Sequence, residues 1–145
     1  MADLIQVEIK GQESITKKIG LLSTKLNPRD LLDESAAVLL NHIRTRFIQQ
    51  IDSSGQAWIP SKASTLRASG RGGGTLFDTG RLFHSLQAFT RGEFSRAIGS
   101  DVPYGKFHNY GTVRLPRREF LAFGQQDVKV VQDILIRRIT EAING

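Results

Sequence analysis

Two stretches of this chain repeat apolar residues every three or four positions, and they lie far apart in the sequence. The first runs from about residue 27 to 51 and starts with Asn27 and Pro28, which favour a helix cap and a first helical turn. The second runs from about residue 125 to 143. Its predicted apolar face consists of Val128, Val131, Leu135 and Ile139. Two long amphipathic helices must bury these faces, so the segments between them have to supply a partner surface.

Shorter segments switch to the two-residue period of β-strands. Ile5, Val7 and Ile9 alternate with polar residues, and residues 86–90 and 94–99 flank a predicted turn at 91–93. We therefore predict an α+β fold. A small antiparallel or mixed sheet packs against the two long amphipathic helices, in a single domain of residues 1–145.

Two short helices are predicted beside the hairpin. Asp78 or Thr79 is the expected cap of the first. The second is a helical turn over residues 104–110, and Gly111 is expected to end it in a left-handed conformation. Both would connect the sheet to its neighbouring segments.

The remaining segments are less regular. Helices are predicted around residues 15–22 and 61–66. A composition rich in Ser, Arg and Gly predicts a flexible loop at about 67–75, and we expect residues 1–11 to form an amino-terminal arm.

The charge of the chain favours some partners without selecting one. Its 20 Lys and Arg residues exceed its 14 Asp and Glu residues, which gives a formal charge of +6. This charge steers acidic partners or nucleic acid, and it fits a soluble basic surface without a polyanionic partner equally well. The chain has no cysteine, which excludes disulfides and thiolate metal sites. No signal peptide and no apolar run of ~18 residues is present, so we expect a soluble protein with no membrane partner.

The residues that most often carry catalysis form no complete constellation. His42, His84 and His108 lack the short spacing of a zinc-binding helix, so we predict no metal and no cofactor. Asp78, His84 and Ser85 fall within eight positions, but a nucleophile next to its base on one short helix does not make a triad. No Gly-x-Ser-x-Gly elbow is present either. We expect a protein that is not an enzyme.

The glycine run at residues 70–74 resembles a phosphate-binding loop only superficially. It lacks the Gly-Lys-Ser/Thr ending and a preceding strand, so a flexible loop is the better interpretation. Arg67 and Arg71 are candidates for contacts with DNA phosphates, and a solvated loop explains them equally well.

Aromatic and basic residues interleave in the second half. Trp58 either plugs one end of the core or anchors a partner protein. Tyr104, Phe107 and Tyr110 share one side of a predicted helix, where core packing and an interface are both open. In residues 116–121, an arginine can pair with a carboxylate inside the subunit or across an interface.

Four short motifs in this region resemble, in order and spacing, the phage virion morphogenesis, or tail completion, family. The similarity extends from about residue 27 to the carboxyl end. The motifs are Gly55-x-x-Trp58-x-Pro60 with Thr65 and Leu66; Leu76-x-Asp78-Thr79-Gly80-x-Leu82-x-x-Ser85; Val102-Pro103-Tyr104-x-x-x-His108-x-x-Gly111; and Pro116-x-Arg118-x-Phe120-Leu121.

The resemblance implies a non-enzymatic α+β building block that forms a ring, expected to be hexameric, between head and tail. It implies a place in the neck or tail of the virion after assembly in the cytoplasm of a bacterial host. The expected neighbours are a head connector or head-completion protein on one side and a tail terminator or tail tube protein on the other, with DNA in the lumen. The alternative is a basic DNA-binding module that acts in phage assembly or DNA passage.

The motifs and the aromatic pattern together give the residues that we expect at interfaces. These candidates are Trp58, Asp78, Arg81, Tyr104, Phe107, His108, Tyr110, Arg118 and Phe120, with Arg67 and Arg71 as the candidates for contact with DNA or the lumen.

Overall fold

The computed structural model describes residues 5–10, 26–60 and 80–144. The elements, in chain order, are β1 (Ile5–Lys10), α1 (Pro28–Gln49), α2 (Arg81–Ser85), β2 (Gln87–Gly92), β3 (Ser95–Ser100), α3 (Gly105–Tyr110) and α4 (Gln125–Asn144). The helices predicted around 15–22 and 61–66 and the loop at 67–75 lie outside the described residues. Of the predicted amino-terminal arm, residues 1–4 and 11 also lie outside them, and the rest forms β1. The described elements confirm the predicted α+β class, with two long helices and a small sheet.

The sheet is antiparallel, and β3 lies at its centre. Its strand order is β1-β3-β2, with Ile5 opposite Ser100 and Gln87 opposite Gly99. The connection between β2 and β3 differs from the prediction: β2 extends to Gly92, and β3 begins after a turn at residues 93–94. An irregularity between residues 90 and 92 accounts for the shift, because an extra residue in one strand moves the turn along the chain.

Helix α1 begins at the predicted residue because its local chemistry determines the start. Asn27 is extended, its side-chain oxygen accepts a hydrogen bond from the Arg29 N–H at 3.0 Å, and Pro28 is the first helical residue. The helix ends at Gln49, slightly before the predicted end, because Gln50 turns left-handed with φ 58°. The cap prediction is confirmed, and only the carboxyl end needs adjustment.

The chain turns back immediately after α1. The carboxylate of Asp52 accepts hydrogen bonds from the N–H groups of Ser54 and Gln56, both at 2.9 Å. The N–H of Trp58 then donates to the carbonyl of Gln50 at 2.8 Å. This turn brings the indole of Trp58 back to the carboxyl end of α1.

Phe47 lies at the centre of the core. Its ring meets those of Trp58, Phe83 and Phe120 edge-on, at centroid separations of 5.3, 5.5 and 5.7 Å. These rings come from α1, α2 and the irregular segments that follow α1 and α3. Other fully buried side chains are Ile43, Leu82, Leu86, Ile98 and Leu121. The core therefore lies between α1, one face of the sheet and the segment before α4.

The cap of α2 differs from the prediction. Asp78 and Thr79, the expected caps, lie outside the described residues, and the cap position belongs to Gly80, with φ 74° and no capping side chain. Glycine suits this position because positive φ is strained for other residues. Ser85, at the other end of α2, donates to the Leu82 carbonyl and shares a hydrogen bond with Ser100, both at 2.6 Å.

Helix α4 packs on α1 with a face that is rotated from the predicted one. Val128 is 55 % exposed, so its assignment to the core face was wrong. The other three predicted residues, Val131, Leu135 and Ile139, are half-buried, and Val131 packs against the core. The buried residues of the helix are Asp127 and Ile134. A buried carboxylate on this face indicates that an ion pair, and not the apolar period alone, determines how α4 is rotated.

That ion pair joins the start of α4 to α1. Arg46 donates one N–H group to both carboxylate oxygens of Asp127, at 3.0 and 2.9 Å, and a second to the carbonyl of Ala122 at 2.8 Å. The same carboxylate contacts His42 at 3.1 Å and accepts from the N–H of Gly124 at 2.8 Å. Burial raises the pKa of Asp127, but the hydrogen bonds from Arg46, Gly124 and His42 outweigh it and hold the pKa below its ordinary value.

We expect Asp127→Ala to lower the free energy of unfolding by about 3 kcal/mol, because it leaves the largely buried guanidinium of Arg46 without its carboxylate partner. Because the folded-state pKa of Asp127 is depressed, its contribution is present above about pH 4 and is lost as the pH falls through the folded-state value. Urea unfolding at pH 7, and at a series of pH values below about 4 where the carboxylate becomes protonated, measures both effects. The matched control is Asp133→Ala at an exposed position of the same helix, expected to change stability by less than about 0.5 kcal/mol. Equal losses from both substitutions would contradict this role of Asp127.

Candidate protein-interaction surface

Helix α3 packs closely against the core at Gly105. A Cβ atom at Gly105 would come within 3.2 Å of Leu82 and 3.5 Å of Phe120. A larger residue would push the helix outward, so Gly105 fixes the distance between α3 and the core. Asn109, one turn later, is buried on the same side.

The side chain of Asn109 forms hydrogen bonds with the backbone of the segment that follows α3, in the way that the backbone of a neighbouring β-strand would. Its side-chain oxygen accepts from the N–H groups of Phe120 and Leu121, both at 3.0 Å, and its amide donates to the Leu121 carbonyl at 3.3 Å. Asn109 is not among the residues predicted from the sequence. The available signal was an asparagine inside a predicted helix, where that residue type is unfavourable unless its side chain has another function.

The opposite side of α3 presents its aromatic residues to solvent. The exposed fractions are 37 % for Tyr104, 47 % for Phe107 and 65 % for Tyr110. The predicted clustering on one side of a helix is confirmed, and the alternative of core packing does not fit this exposure. Their assignment to an interface stays a prediction.

The chain after α3 forms a projecting turn. Gly111 ends the helix with φ 76° and ψ 163°, a positive-φ conformation but not the predicted left-handed helical one. The N–H of Thr112 donates to the carbonyl of Leu115 at 2.9 Å, and this bond closes the turn. Val113 at its tip is fully exposed, and Leu115 is 37 % exposed. We call the apolar set Tyr104, Phe107, Tyr110, Val113 and Leu115 the α3 surface.

Cations surround the α3 surface. The guanidinium of Arg81 lies 5.9 Å from the centroid of the Tyr104 ring, and the ammonium of Lys106 lies 5.4 Å from that of Phe107. Arg114 is exposed at the tip of the turn. The arrangement combines large apolar side chains with positive charge, which is typical of a protein-binding surface.

Three of the predicted interface residues lie inside the subunit. Arg118 is 7 % exposed, and it donates to the backbone carbonyls of Ile59 at 2.6 Å and Pro60 at 3.2 Å. The indole N–H of Trp58 donates to the carbonyl of Glu119 at 2.8 Å, and Phe120 belongs to the core. These side chains have too little accessible area to anchor a partner. They hold together the segment that follows the α3 surface.

The predicted carboxylate pairing in the 116–121 segment involves a different arginine. Arg117 forms an ion pair with Glu119 inside the subunit. Arg118, by contrast, donates to backbone carbonyls, which suits a buried guanidinium with several N–H groups to satisfy. Of the two open alternatives, the structure therefore contains the pairing within one subunit.

His108 links α3 to this segment. Its backbone carbonyl accepts from the N–H of Arg118 at 2.8 Å, and its half-buried ring packs near Tyr104. Burial lowers the pKa of His108, and the charge of Arg118 lowers it further, so the ring is neutral at pH 7. The ring atom Nδ1 is buried and has no hydrogen-bond partner among the residues that the structure describes. His108 is thus a positioning residue and not an exposed contact.

Other predicted residues add no catalytic geometry. Ser85 uses its hydroxyl to bind Leu82 and Ser100, as described above, and exposed His84 packs against Phe83 with ring centroids 5.2 Å apart. Asp78, Arg67 and Arg71 lie outside the described residues.

In the described ranges, no group of three His, Cys, Asp or Glu residues is arranged to hold a metal ion. No helix among residues 5–10, 26–60 and 80–144 combines the length and apolar character needed to cross a membrane.

Comparisons with known proteins agree with the motifs. The profile of the phage virion morphogenesis family matches residues 10–140. The chain is 28 % identical over 142 residues to Mu-like prophage FluMu G protein 1 of Haemophilus influenzae (strain ATCC 51907 / DSM 11121 / KW20 / Rd), covering 94 % of this chain and 97 % of that protein. No solved structure matches the chain significantly.

We expect Asn109→Ala to lower the free energy of unfolding by roughly 2–4 kcal/mol, because it removes the partners of buried backbone groups at Phe120 and Leu121. Chemical denaturation measures the loss. Tyr110→Ala, at the neighbouring exposed position, is the control and should cost less than about 0.5 kcal/mol. If Asn109→Ala were as stable as the parent protein, the assigned hydrogen bonds would not hold this segment.

Proposed function

The chain belongs to the phage virion morphogenesis family, and on that premise we propose that it is a non-enzymatic subunit that completes the phage tail and joins it to the head. The observation that carries this proposal is the family match over residues 10–140, which includes all of α1, most of α4, the exposed aromatic residues and strands β2 and β3. A role in phage virion morphogenesis follows from membership. The position at the neck and the joining of tail to head are the proposed refinements.

The α+β fold has features that suit a building block. Buried polar side chains, among them Asp127, Arg118 and Asn109, are used to hold segments of the subunit together. The exposed aromatic residues of the α3 surface are held on this scaffold and have no role in its core. Exposed apolar area on a rigid support is typical of an interaction site.

The sheet offers a means of ring formation. With the order β1-β3-β2, both outer strands have one unpaired edge among the described strands. The edge of β1 and the edge of β2 are different surfaces, so pairing β2 of one copy with β1 of the next is a head-to-tail contact. A head-to-tail contact whose rotation closes produces a ring. We propose this contact for the expected hexamer.

Phage particles made without this protein test the proposed role. We expect electron micrographs of an induced lysate to show filled heads and tails that are not joined, and adding the purified protein should restore joined particles. Mass spectrometry of purified virions should detect the protein. Joined, infectious particles that lack it would refute the proposal.

Disulfide trapping tests the proposed ring contact, and a chain without cysteine gives no background. We expect Gln6→Cys combined with Gln87→Cys to form a ladder of covalent multimers in assembled particles. Gln6 in β1 and Gln87 in β2 both lie opposite Gly99 of the central strand β3. Within one subunit their Cα atoms are therefore about 9–10 Å apart, beyond the ~7 Å reach of a disulfide.

The control for trapping pairs Gln87→Cys with Asn41→Cys, an exposed position on α1, and should give no ladder. Because a neighbouring copy can pair with β1 in more than one register, Glu8→Cys is tested in parallel with Gln6→Cys. A particle in which neither pair crosslinks would contradict pairing between these two edges and leave the family assignment intact.

A further inference from the structure

We propose that the α3 surface binds an acidic surface of a different virion protein and does not serve as the contact between copies of this chain. The inference rests on the proposed function, because it assumes that the subunit meets other proteins at the joint. It specifies the partner by charge and apolar chemistry.

The side chains of the α3 surface suit a protein partner. Tyr104, Phe107 and Tyr110 offer large exposed areas with few rotatable bonds, and two of them carry a hydroxyl group that can form hydrogen bonds. Val113 and Leu115 add exposed aliphatic groups at a projecting turn. Aliphatic side chains gain little against a phosphate backbone, whereas they fill pockets in a protein surface.

The charge around the surface is positive. Within residues 101–120 the exposed cations are Arg114 and Arg117, with half-buried Lys106, while the acids are Asp101 and Glu119. Glu119 and Arg117 pair with each other, which leaves Arg114 and Lys106 against Asp101 in this range. A partner that presents carboxylates around an apolar centre would complement this arrangement.

A second copy of the chain offers no such acidic patch in the part that the structure describes. Most carboxylates there are already paired with arginine on the same subunit, so a second copy presents them largely neutralised. These paired residues are Glu8, Asp33, Glu34, Glu93, Glu119, Asp127 and Glu141.

The other described carboxylates are scattered. Asp30 lies in α1, Asp133 in α4, Asp52 in the turn after α1, and Asp101 just before α3. Asp52 is occupied by hydrogen bonds to Ser54 and Gln56. Charge complementarity therefore favours a partner of different sequence over self-association at this surface.

The test uses binding of labelled purified protein to heads and to tails, each purified from particles made without this protein. Sedimentation separates bound from free protein. We expect Tyr110→Ser/Val113→Ser to weaken binding to one of the two particles by at least about tenfold, because central aromatic and aliphatic contacts carry most of the affinity. Arg114→Glu should weaken the same binding and reduce its dependence on salt.

The matched control is Val128→Ser/Ile136→Ser, which removes exposed apolar residues from α4, on a separate part of the subunit. It should bind like the parent protein. Disulfide trapping of copies through the sheet edges should be unchanged in the α3-surface variants, and their unfolding midpoints should match the parent because the replaced side chains are exposed.

Each other outcome identifies a different failure. Unchanged particle binding by the α3-surface variants overturns the inference alone. If the α3-surface variants lose multimers but still bind particles, the surface is the contact with a second copy. If they selectively lose binding to a 30-bp duplex, the surface binds DNA. Either result overturns the inference. If the parent protein binds neither heads nor tails, the proposed joining function fails, and the inference fails with it.

Discussion

The hydrogen bonds of Asn109 to the backbone of Phe120 and Leu121 are the interaction on which the arrangement of the second half depends. Residues 111–124 contain no strand, so their backbone groups lack the regular partners of a sheet. A buried side-chain amide supplies both acceptor and donor in place of a neighbouring strand. The segment is thereby fixed against α3, and its two apolar residues enter the core beside Phe47.

The same solution recurs wherever an irregular segment meets the scaffold. Arg118 binds the carbonyls of Ile59 and Pro60, the indole of Trp58 binds the carbonyl of Glu119, and Arg46 binds that of Ala122. Each bond satisfies a main-chain acceptor that would be costly to bury alone. Polar side chains inside the subunit thus stabilise its shape, and this shape holds the aromatic residues of α3 outward. The buried polar contacts thus stabilise the scaffold, and the exposed aromatic residues on it are the ones assigned to the proposed function.

The sequence predicted the features that depend on nearby residues. Asn27 and Pro28 determine the start of α1 within one turn, and alternation together with a turn signal identified the strands. The rotation of α4 was missed because its apolar period fits two overlapping faces, and the choice depends on Arg46, 81 positions from Asp127. Trp58 was left open between core and interface for the same reason, since its partner at Glu119 lies 61 positions away. Residues with distant polar partners give no local signal of their role.

Electron cryo-microscopy of the neck of the assembled particle tests the central claim most directly. The account predicts a ring of copies of this chain between head and tail, with neighbouring copies meeting at their sheet edges. Tyr110 and Val113 should be covered by an acidic surface of a different protein. A neck without this chain, or a ring in which the aromatic face of α3 is open to solvent, would contradict the account.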